Sequence, residues 1–275
     1  MLVFPNAKLN LGLYITGLRP DGFRNLESVF VPLPWSDALE VLPAAKGTET
    51  TLTLTGLPIP GEPATNLCKK AYELLAADFD LPPVQMHLHK DVPIGAGLGG
   101  GSADAAFALK ALNTQFKLGL APEQLESYAR RLGSDCAFFI HNQPVFAHSR
   151  GDMFEELDFA LDLTGTPCLV VYPGLHISTA EAYARVVPRA PRHDLRQSLR
   201  EPMATWRDTV SNDFEEALTP FYPVLGDIKQ QLYAAGATYA SLSGSGSAVY
   251  GLFPGFSEVP DLTWPAGYTV WSGQL

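Results

Sequence analysis

The sequence is poor in cysteine and in basic residues. Its 275 residues include three widely spaced cysteines, Cys68, Cys136 and Cys168, with no CxxC pair, so neither a disulfide framework nor a zinc site is expected. Lysine and arginine number 19 against 29 aspartates and glutamates, which gives a net charge of −10 at pH 7. Because an acidic surface repels polyanions, nucleic acids and anionic membranes are not expected partners.

Long apolar stretches are also missing. The apolar runs at 168–172 and 137–140 are far shorter than the roughly 20 residues that span a bilayer. The N-terminus has neither the apolar stretch nor the cleavage site of a signal peptide. We therefore expect a soluble protein of the reducing cytoplasm. The chain is nevertheless 46% hydrophobic, enough for a substantial core in one large domain or two.

The first clear pattern is an alternation of apolar and other residues over 7–15. The odd positions are apolar, and Lys8, Asn10, Gly12 and Tyr14 fall between them. This period of two predicts a strand with one buried face. Lys8 and Asn10 would share the opposite face, about 7 Å apart.

Other elements follow from periodicity and turn residues, and they indicate an α+β fold. Strands come first and two consecutive helices follow, which argues against alternating βαβ units. Pro122 and Gly133 would bound the second of these helices, Gly133 as a left-handed stop. Strands are predicted at 28–31, 38–42, 50–55, 84–88 and 168–172, and helices at 66–77, 102–118, 122–132 and 224–235.

The pattern weakens between 147 and 167, and we place a domain boundary there, giving domains 1–155 and 156–275. The second domain carries a basic island in an otherwise acidic chain. The island is either a solvated face or a surface that attracts an anionic substrate. Its members are Arg185, Arg189, Arg192, Arg196, Arg200 and Arg207.

A glycine-dense segment lies between a predicted strand and a predicted helix. Glycine lacks the Cβ atom that would block backbone approach, several N–H groups can converge, and the helix N-terminus adds roughly half a positive charge. These properties indicate a phosphate-binding loop, with a flexible linker as the alternative. The segment consists of Pro93, Ile94, Gly95, Ala96, Gly97, Leu98, Gly99, Gly100, Gly101, Ser102 and Ala103.

Two common nucleotide motifs do not fit this loop. The spacing of Gly95, Gly97 and Gly100 matches the dinucleotide fingerprint, but Glu123 opens a second helix where that fold requires another strand. No Gly-Lys-Ser/Thr follows the glycines, so the Walker A pattern fails, and the protein-kinase triplets are absent.

Phosphoryl transfer also needs a cation near the transferred group and a carboxylate that accepts the proton of the attacking hydroxyl. Lys8 and Asp135 are the candidates. Each has a structural alternative: Lys8 could lie on an ordinary exposed strand face, and Asp135 could be a helix N-cap.

Seven segments, in order over nearly the whole chain, resemble the superfamily of galactokinase, homoserine kinase, mevalonate kinase and phosphomevalonate kinase, the GHMP kinases. The glycine motif is specific to the superfamily. The first two segments are typical of its 4-diphosphocytidyl-2-C-methyl-D-erythritol kinases, which serve non-mevalonate isoprenoid synthesis. The segments lie at 6–11 (Asn-Ala-Lys-Leu-Asn-Leu), 19–26, 93–106, 132–136, 173–179, 211–214 and 242–247.

The resemblance implies a two-domain α+β kinase with an N-terminal ribosomal-protein-S5-domain-2-like domain and a C-terminal ferredoxin-like domain. It implies ATP on the glycine loop, magnesium bound with the nucleotide, and Lys8 and Asp135 as the catalytic pair. The phosphorylated group would be the 2-hydroxyl of the methylerythritol moiety. No obligate protein partner is implied.

The resemblance also implies a cytosine pocket in which Phe23 and Tyr183 stack on the base, with Asn10 and Thr179 as polar neighbours. The chain departs from the family here, because Phe23 and Arg24 stand where Tyr-His is usual. A second departure, Ala103, leaves Ser102 as the hydroxyl of the glycine loop. Another GHMP-type kinase and a noncatalytic nucleotide-binding regulator remain alternatives.

Overall fold

The computed structural model describes residues 1–45, 47–59 and 65–275. The strands are β1 (Leu2–Val3), β2 (Asn6–Leu18), β3 (Arg24–Ser36), β4 (Ala38–Pro43), β5 (Thr51–Gly56), β6 (Val84–Lys90), β7 (Val145–His148), β8 (Met153–Glu156), β9 (Pro167–Tyr172), β10 (Tyr239–Leu242), β11 (Val249–Leu252) and β12 (Thr269–Gln274).

The helices are α1 (Leu67–Asp78), α2 (Gly100–Gln115), α3 (Pro122–Leu132), α4 (Phe138–His141), α5 (Thr179–Arg185), α6 (Leu195–Arg200), α7 (Trp206–Thr209), α8 (Asp213–Leu218) and α9 (Pro223–Ala234), with a short 3-10 helix at Met203–Thr205. No helix of the described residues is long and apolar enough to span a membrane.

The first of two compact units comprises Met1–Ala7, Trp35–Ile94 and Gly99–Gln143. Its sheet has the strand order β1-β4-β6-β5, in which β5 and β6 run parallel and the other pairs run antiparallel. Residues of β6 are alternately buried and exposed, so one face of the sheet is covered. Helices α1, α2 and α3 contact one another and supply the other layer.

Two of these helices show how sequence sets the packing. Asn66 is the N-cap of α1 and accepts a hydrogen bond from the Cys68 N–H at 2.8 Å, which satisfies one of the first unpaired donors of the helix. The buried residues of α2 are mostly alanines. Small side chains let a helix approach its neighbours closely, so α2 is well suited to a central position.

The second unit comprises Lys8–Pro34, Gly95–Leu98 and Pro144–Leu275. Its two sheets have the orders β2-β3-β7-β8 and β10-β11-β9-β12. In the second sheet every neighbouring pair is antiparallel. Strands β9, β10 and β11 and helices α5, α8 and α9 contribute buried side chains to one core, including Val171, Ala182, Phe214, Ile228, Leu242 and Val249.

The predicted strands and helices are confirmed, and the α+β class is correct. The prediction that only one face of the first strand is buried was wrong, since every residue from Asn6 to Tyr14 is buried. The polar face of β2 is covered because its side chains bond to other parts of the second unit. Gly133 is not a left-handed stop either, because its φ of 175° is extended backbone.

Each compact unit is built from several segments of the chain, so no single boundary in the sequence separates the two units. The sequence-based boundary between 155 and 156 falls within β8, Met153–Glu156. The division into domains 1–155 and 156–275 concerns family domains and stays a prediction.

Gly56, the last residue of β5, generates a stability prediction. It has a φ of +79°, and a Cβ atom there would lie 2.1 Å from the carbonyl oxygen of Lys90. Gly56→Ala should therefore lower the free energy of unfolding by more than the roughly 1–2 kcal/mol that a left-handed backbone alone costs. Urea unfolding measures the difference.

Gly47→Ala is the matched control, because Gly47 has a φ of +87° and a Cβ atom there would have no neighbour within 4 Å among the described residues. This variant should lose only the part of the free energy of unfolding that the left-handed backbone costs. Equal losses in the two variants would show that the contact with Lys90 is not restrictive.

Candidate active site

Lys8 lies on β2 with 3% of its surface exposed, so the exposed-face interpretation of this residue is wrong. Its Nζ donates one hydrogen bond to Oδ1 of Asn10 and another, of 3.0 Å, to the carbonyl oxygen of Gly97. The ammonium also lies 4.9 Å from the ring centroid of Phe30. These contacts hold the cation at the middle of the glycine loop.

Asn10 is fixed in turn by a chain of hydrogen bonds. Its Nδ2 donates to Ser28 Oγ at 2.9 Å, and that hydroxyl donates to the carbonyl oxygen of Gly12 at 2.6 Å. The hydroxyl of Tyr250 donates to the Asn10 carbonyl oxygen at 2.7 Å. All of these groups are buried, so the orientation of the Asn10 amide, and with it that of Lys8, is strongly determined.

The middle of the glycine loop, 95–98, belongs to the second unit. Its carbonyl groups face protein: that of Ala96 accepts from the Ala248 N–H at 3.0 Å, and that of Leu98 accepts from the Lys8 N–H at 2.9 Å. The Gly97 carbonyl accepts from Ser243 Oγ at 3.0 Å as well as from Lys8. With these carbonyls held by protein, an anion would meet the N–H groups of the loop.

Glycine is required at two of these loop positions. Gly95 and Gly97 have φ values of +68° and +80°. A Cβ atom at Gly97 would lie 1.9 Å from the Ser243 carbonyl oxygen, and one at Gly95 would lie 2.7 Å from Nδ1 of His176. The loop therefore depends on close backbone packing that a linker does not need.

The segment around Ser243 is held by Asn212, the N-cap of α8. Its Nδ2 donates to the carbonyl oxygens of Leu242 and Gly244, each at 2.9 Å, and its Oδ1 accepts from the Phe214 N–H. Asn212 thus links the segments 211–214 and 242–247, which the sequence highlighted without assigning them a role.

In the first unit, the glycine loop ends at the start of α2. Gly99 is the N-cap with a φ of +73°, and no side chain caps this end of the helix. The first N–H groups of a helix have no intrahelical partner. The N-terminus of α2 is therefore a suitable place for phosphate oxygens.

Asp135 lies in a turn that precedes α4 in the first unit. The N-cap position of α4 is Ala137, so the interpretation of Asp135 as a helix N-cap is wrong. The carboxylate accepts a hydrogen bond from Ser134 Oγ at 3.3 Å. The next residue, Cys136, hydrogen-bonds through its thiol with the Ser102 side chain, which ties the Asp135 turn to the first turn of α2.

The Cys136 thiol has no catalytic character. Burial raises its pKa to about 11, although the hydrogen bond with Ser102 opposes this shift. Because the thiolate is the nucleophilic form, a thiol with so high a pKa is inert at neutral pH. Its role is to pack and to join the turn to the helix.

The residues predicted to bind cytosine all belong to the second unit. Phe23 is 56% exposed, and the guanidinium carbon of Arg150 lies 5.2 Å from its ring centroid. Tyr183 contacts Phe214 edge-on, with centroids 5.0 Å apart. Thr179 is the exposed first residue of α5.

Arg24 does not extend freely into solvent. Its guanidinium carbon lies 5.9 Å from the ring centroid of Tyr183, one of the two residues predicted to stack on cytosine. Its Nε is buried and has no hydrogen-bond partner in the part of the chain that the structure describes.

Five of the six arginines in the arginine island pair with carboxylates. Arg189 lies 3.1 Å from Asp213 and 2.5 Å from Glu216, and Arg207 lies over the ring of Tyr233. This pairing favours the solvated-face interpretation over attraction of an anionic substrate. The other pairs are Arg185 with Glu181, Arg192 with Glu216, Arg196 with Glu155, and Arg200 with Asp158.

The structure brings Lys8, Asn10 and Gly97 together in the second unit, and Ser102 together with the Asp135 turn in the first. Sequence reasoning missed Ser28, Ser243 and Asn212. Ser243 and Asn212 lie in segments that carry the resemblance to the GHMP kinases. That location in the sequence was a signal that could have identified them. Ser28 had none, because its role comes from the pairing of β2 with β3.

Comparisons with known proteins identify the family. The family model for the GHMP kinases N terminal domain matches residues 66–143, and that for GHMP kinases C terminal matches residues 192–262. A 4-diphosphocytidyl-2-C-methyl-D-erythritol kinase of Bacteroides fragilis is 49% identical over 269 residues, covering 98% of this chain and 97% of the relative.

Solved structures give the same result. A crystal structure of 4-(cytidine 5'-diphospho)-2C-methyl-D-erythritol kinase superposes with a TM-score of 0.79 at 32% identity, covering 93% of this chain and 91% of that one. The Methanococcus jannaschii mevalonate kinase superposes with a TM-score of 0.68 at 15% identity, covering 92% and 90%, which shows a shared fold alone.

Gly101 offers the cleanest test of the phosphate loop. Gly99 has a left-handed φ, and a Cβ atom at Gly100 would lie 3.1 Å from Val92 Cγ1, whereas nothing among the described residues lies within 4 Å of a Cβ at Gly101. Gly101→Val should therefore fold normally but lose ATP affinity by at least about tenfold, because the side chain would occupy the space of a phosphate group at the helix N-terminus. Calorimetric titration with ATP measures this.

Glu123→Val, which places the same side chain in the exposed first turn of α3, should bind ATP as the unmodified protein does. Unchanged ATP affinity in Gly101→Val would exclude this end of α2 from the phosphate site.

Proposed function

The chain belongs to the 4-diphosphocytidyl-2-C-methyl-D-erythritol kinases within the GHMP kinase family, and on that premise we propose that it transfers the γ-phosphoryl group of ATP to the 2-hydroxyl of 4-diphosphocytidyl-2-C-methyl-D-erythritol. The observation that carries the mechanism is the Lys8 ammonium bound to the Gly97 carbonyl at 3.0 Å. This contact places a cation at the glycine loop.

The glycine loop and the first turn of α2 bind the ATP phosphates through backbone N–H groups. The Lys8 ammonium stabilises the charge that develops on the phosphoryl oxygens. Because Asn10 and Gly97 hold the ammonium in place before substrate arrives, little reorganisation is needed in the transition state.

Asp135 acts as the base that accepts the proton of the attacking 2-hydroxyl. A carboxylate is adequate for this role, since a loose transition state needs the proton removed only late. The hydrogen bond between Ser102 and Cys136 supports this assignment, because it ties the Asp135 turn to the helix whose N-terminus binds phosphate.

A magnesium ion bound with the nucleotide would neutralise phosphate charge. The described residues contain no cluster of three His, Cys, Asp or Glu side chains that could hold a metal, which fits an ion bound largely through phosphates and water. The Ser102 hydroxyl would supply one hard oxygen atom of the kind that Mg²⁺ prefers. The proposal requires no partner besides ATP and the cytidyl substrate.

Phe23 and Tyr183 stack on the cytosine, and Asn10 and Thr179 supply polar contacts. Arg24 occupies the position beside Phe23 and packs against Tyr183. Its charge is therefore held beside the pocket, where it attracts the diphosphate of the substrate.

The proposal is tested by ATP turnover against a panel of acceptors. The panel contains the cytidyl substrate, homoserine and mevalonate. We expect turnover with the cytidyl substrate only. Turnover confined to homoserine or mevalonate would reassign the chain within the family, and no turnover with any acceptor, despite ATP binding, would favour a regulator.

The role of Asp135 predicts a defect in chemistry without a defect in nucleotide binding. Asp135→Asn should lower kcat by about 10²-fold or more, since a positioned base contributes about 10²–10⁴, and should leave the Kd for ATP within about twofold. Steady-state kinetics and calorimetry measure the two quantities. Asp80→Asn, the same change at an exposed site, is the control, and near-normal turnover in Asp135→Asn would remove this residue as the base.

The cytosine pocket predicts a defect in substrate binding at Phe23. Phe23→Ala should lose roughly 1–3 kcal/mol of base stacking, a rise in KM for the cytidyl substrate of about 5- to 150-fold, while Phe23→Tyr should be nearly neutral. ATP affinity should not change in either variant.

Phe221→Ala is the matched control, because Phe221 is similarly exposed and also lies against an arginine, Arg185. Its KM should match that of the unmodified enzyme. A Phe23→Ala enzyme with an unaltered KM for the cytidyl substrate would refute stacking on Phe23.

A further inference from the structure

Three charged side chains are buried together in the first unit. Lys90, Asp37 and Asp104 are 1%, 1% and 3% exposed. The Lys90 ammonium forms an ion pair with Asp37 Oδ2 and lies 2.8 Å from Asp104 Oδ2. A buried ion network is weak evidence for stability in itself, because desolvation offsets the attraction. The burial of these three charges therefore needs an explanation other than stability.

Asp37 fixes the segment that enters the glycine loop. Its Oδ1 accepts hydrogen bonds from the N–H groups of Asp91 and Val92, at 2.7 and 2.9 Å. These residues directly follow β6 and precede Pro93, the first residue of the loop. Two charge-assisted bonds to one oxygen hold this short segment in one conformation.

Asp104 fixes the segment that leaves the loop. It is the fifth residue of α2, so it lies about one turn from the helix N-terminus. One carboxylate oxygen binds Lys90, and the other, Oδ1, is buried without a hydrogen-bond partner in the described part of the chain. A buried carboxylate oxygen without a hydrogen-bond partner costs free energy. The bond to Lys90 is therefore the contact that accounts for the position of the Asp104 side chain.

Lys90 joins the two ends of the loop. A Cβ atom at Gly100 would lie 3.3 Å from Lys90 Nζ and 3.1 Å from Val92 Cγ1, so the start of α2 packs directly on the entering segment. Burial disfavours the charge of Lys90, but the two carboxylates outweigh it and raise its pKa. Burial raises the pKa of Asp104 to about 7, against the attraction of Lys90.

We propose that Asp37, Lys90 and Asp104 are positioning residues that fix both ends of the glycine loop in the geometry that binds nucleotide phosphates. The inference rests on the proposed nucleotide role of the loop. It assigns these residues no contact with ATP. Their effect is on the backbone N–H groups whose positions they set.

The first test is Asp104→Ala, which keeps the ion pair between Lys90 and Asp37, a pair with no net charge. We expect the Kd for ATP, measured by calorimetry, to rise at least fivefold, and KM for the cytidyl substrate to stay within twofold. Asp104→Asn keeps an oxygen acceptor for Lys90 and should restore ATP affinity to within about threefold of the unmodified protein. Because the Kd for ATP is measured without turnover, failure of the acceptor assignment would not be confused with failure of this inference.

Leu109→Ala is the control for general loss of stability, since Leu109 is buried in the same helix. It should lower the melting temperature and leave the Kd for ATP unchanged. If Asp104→Ala lowers the melting temperature and likewise leaves the Kd for ATP unchanged, the network has only a structural role and the proposal is wrong.

A double variant covers the case in which Asp104→Ala does not fold. Lys90→Met with Asp104→Leu removes one charge of each sign and fills the space with apolar groups, while Asp37 keeps its two backbone hydrogen bonds and, without a cation beside it, takes up a proton. We expect a folded protein whose Kd for ATP is at least tenfold higher. A folded double variant with ATP affinity within twofold of the unmodified protein would overturn the proposal.

Discussion

The close approach of Gly97 to Ser243 constrains the part of the candidate active site that lies in the second unit. A Cβ atom at Gly97 would lie 1.9 Å from the Ser243 carbonyl, so only glycine allows the loop to pack there. That packing turns the Gly97 carbonyl toward both Ser243 Oγ and Lys8 Nζ. A single backbone oxygen thus sets the position of the loop and of the cation that serves it.

Two buried lysines illustrate how the surroundings decide the role of one residue type. The carboxylates of Asp37 and Asp104 bind the charge of Lys90, so that lysine holds the two ends of the glycine loop. The oxygens of Asn10 and Gly97 orient the ammonium of Lys8. These contacts hold that lysine against the middle of the glycine loop.

Local pattern was sufficient for much of the fold. The alternation along 7–15 predicted β2, and the Gly-rich run predicted a phosphate loop that ends in a helix, as found at Gly99 and α2. Burial of the second face of β2 was not predictable, because it depends on Tyr250, 240 residues away from Asn10. The alternation of apolar and polar residues shows which side chains share a face of the strand. It carries no information on which residues cover the polar face.

Charged residues show the same limit more sharply. The arginine island read as a basic surface because its partners are distant in sequence: Arg196 pairs with Glu155, 41 residues away, and Arg189 with Asp213, 24 residues away. Lys90 and Asp37 are separated by 53 residues, and no local pattern connects them. Charge counted along a segment therefore overestimates the field that a folded surface presents, since ion pairs cancel it within a few ångströms. For a kinase of an anionic substrate, the charges that can act on the substrate are therefore identified from the contacts that folding makes and not from composition.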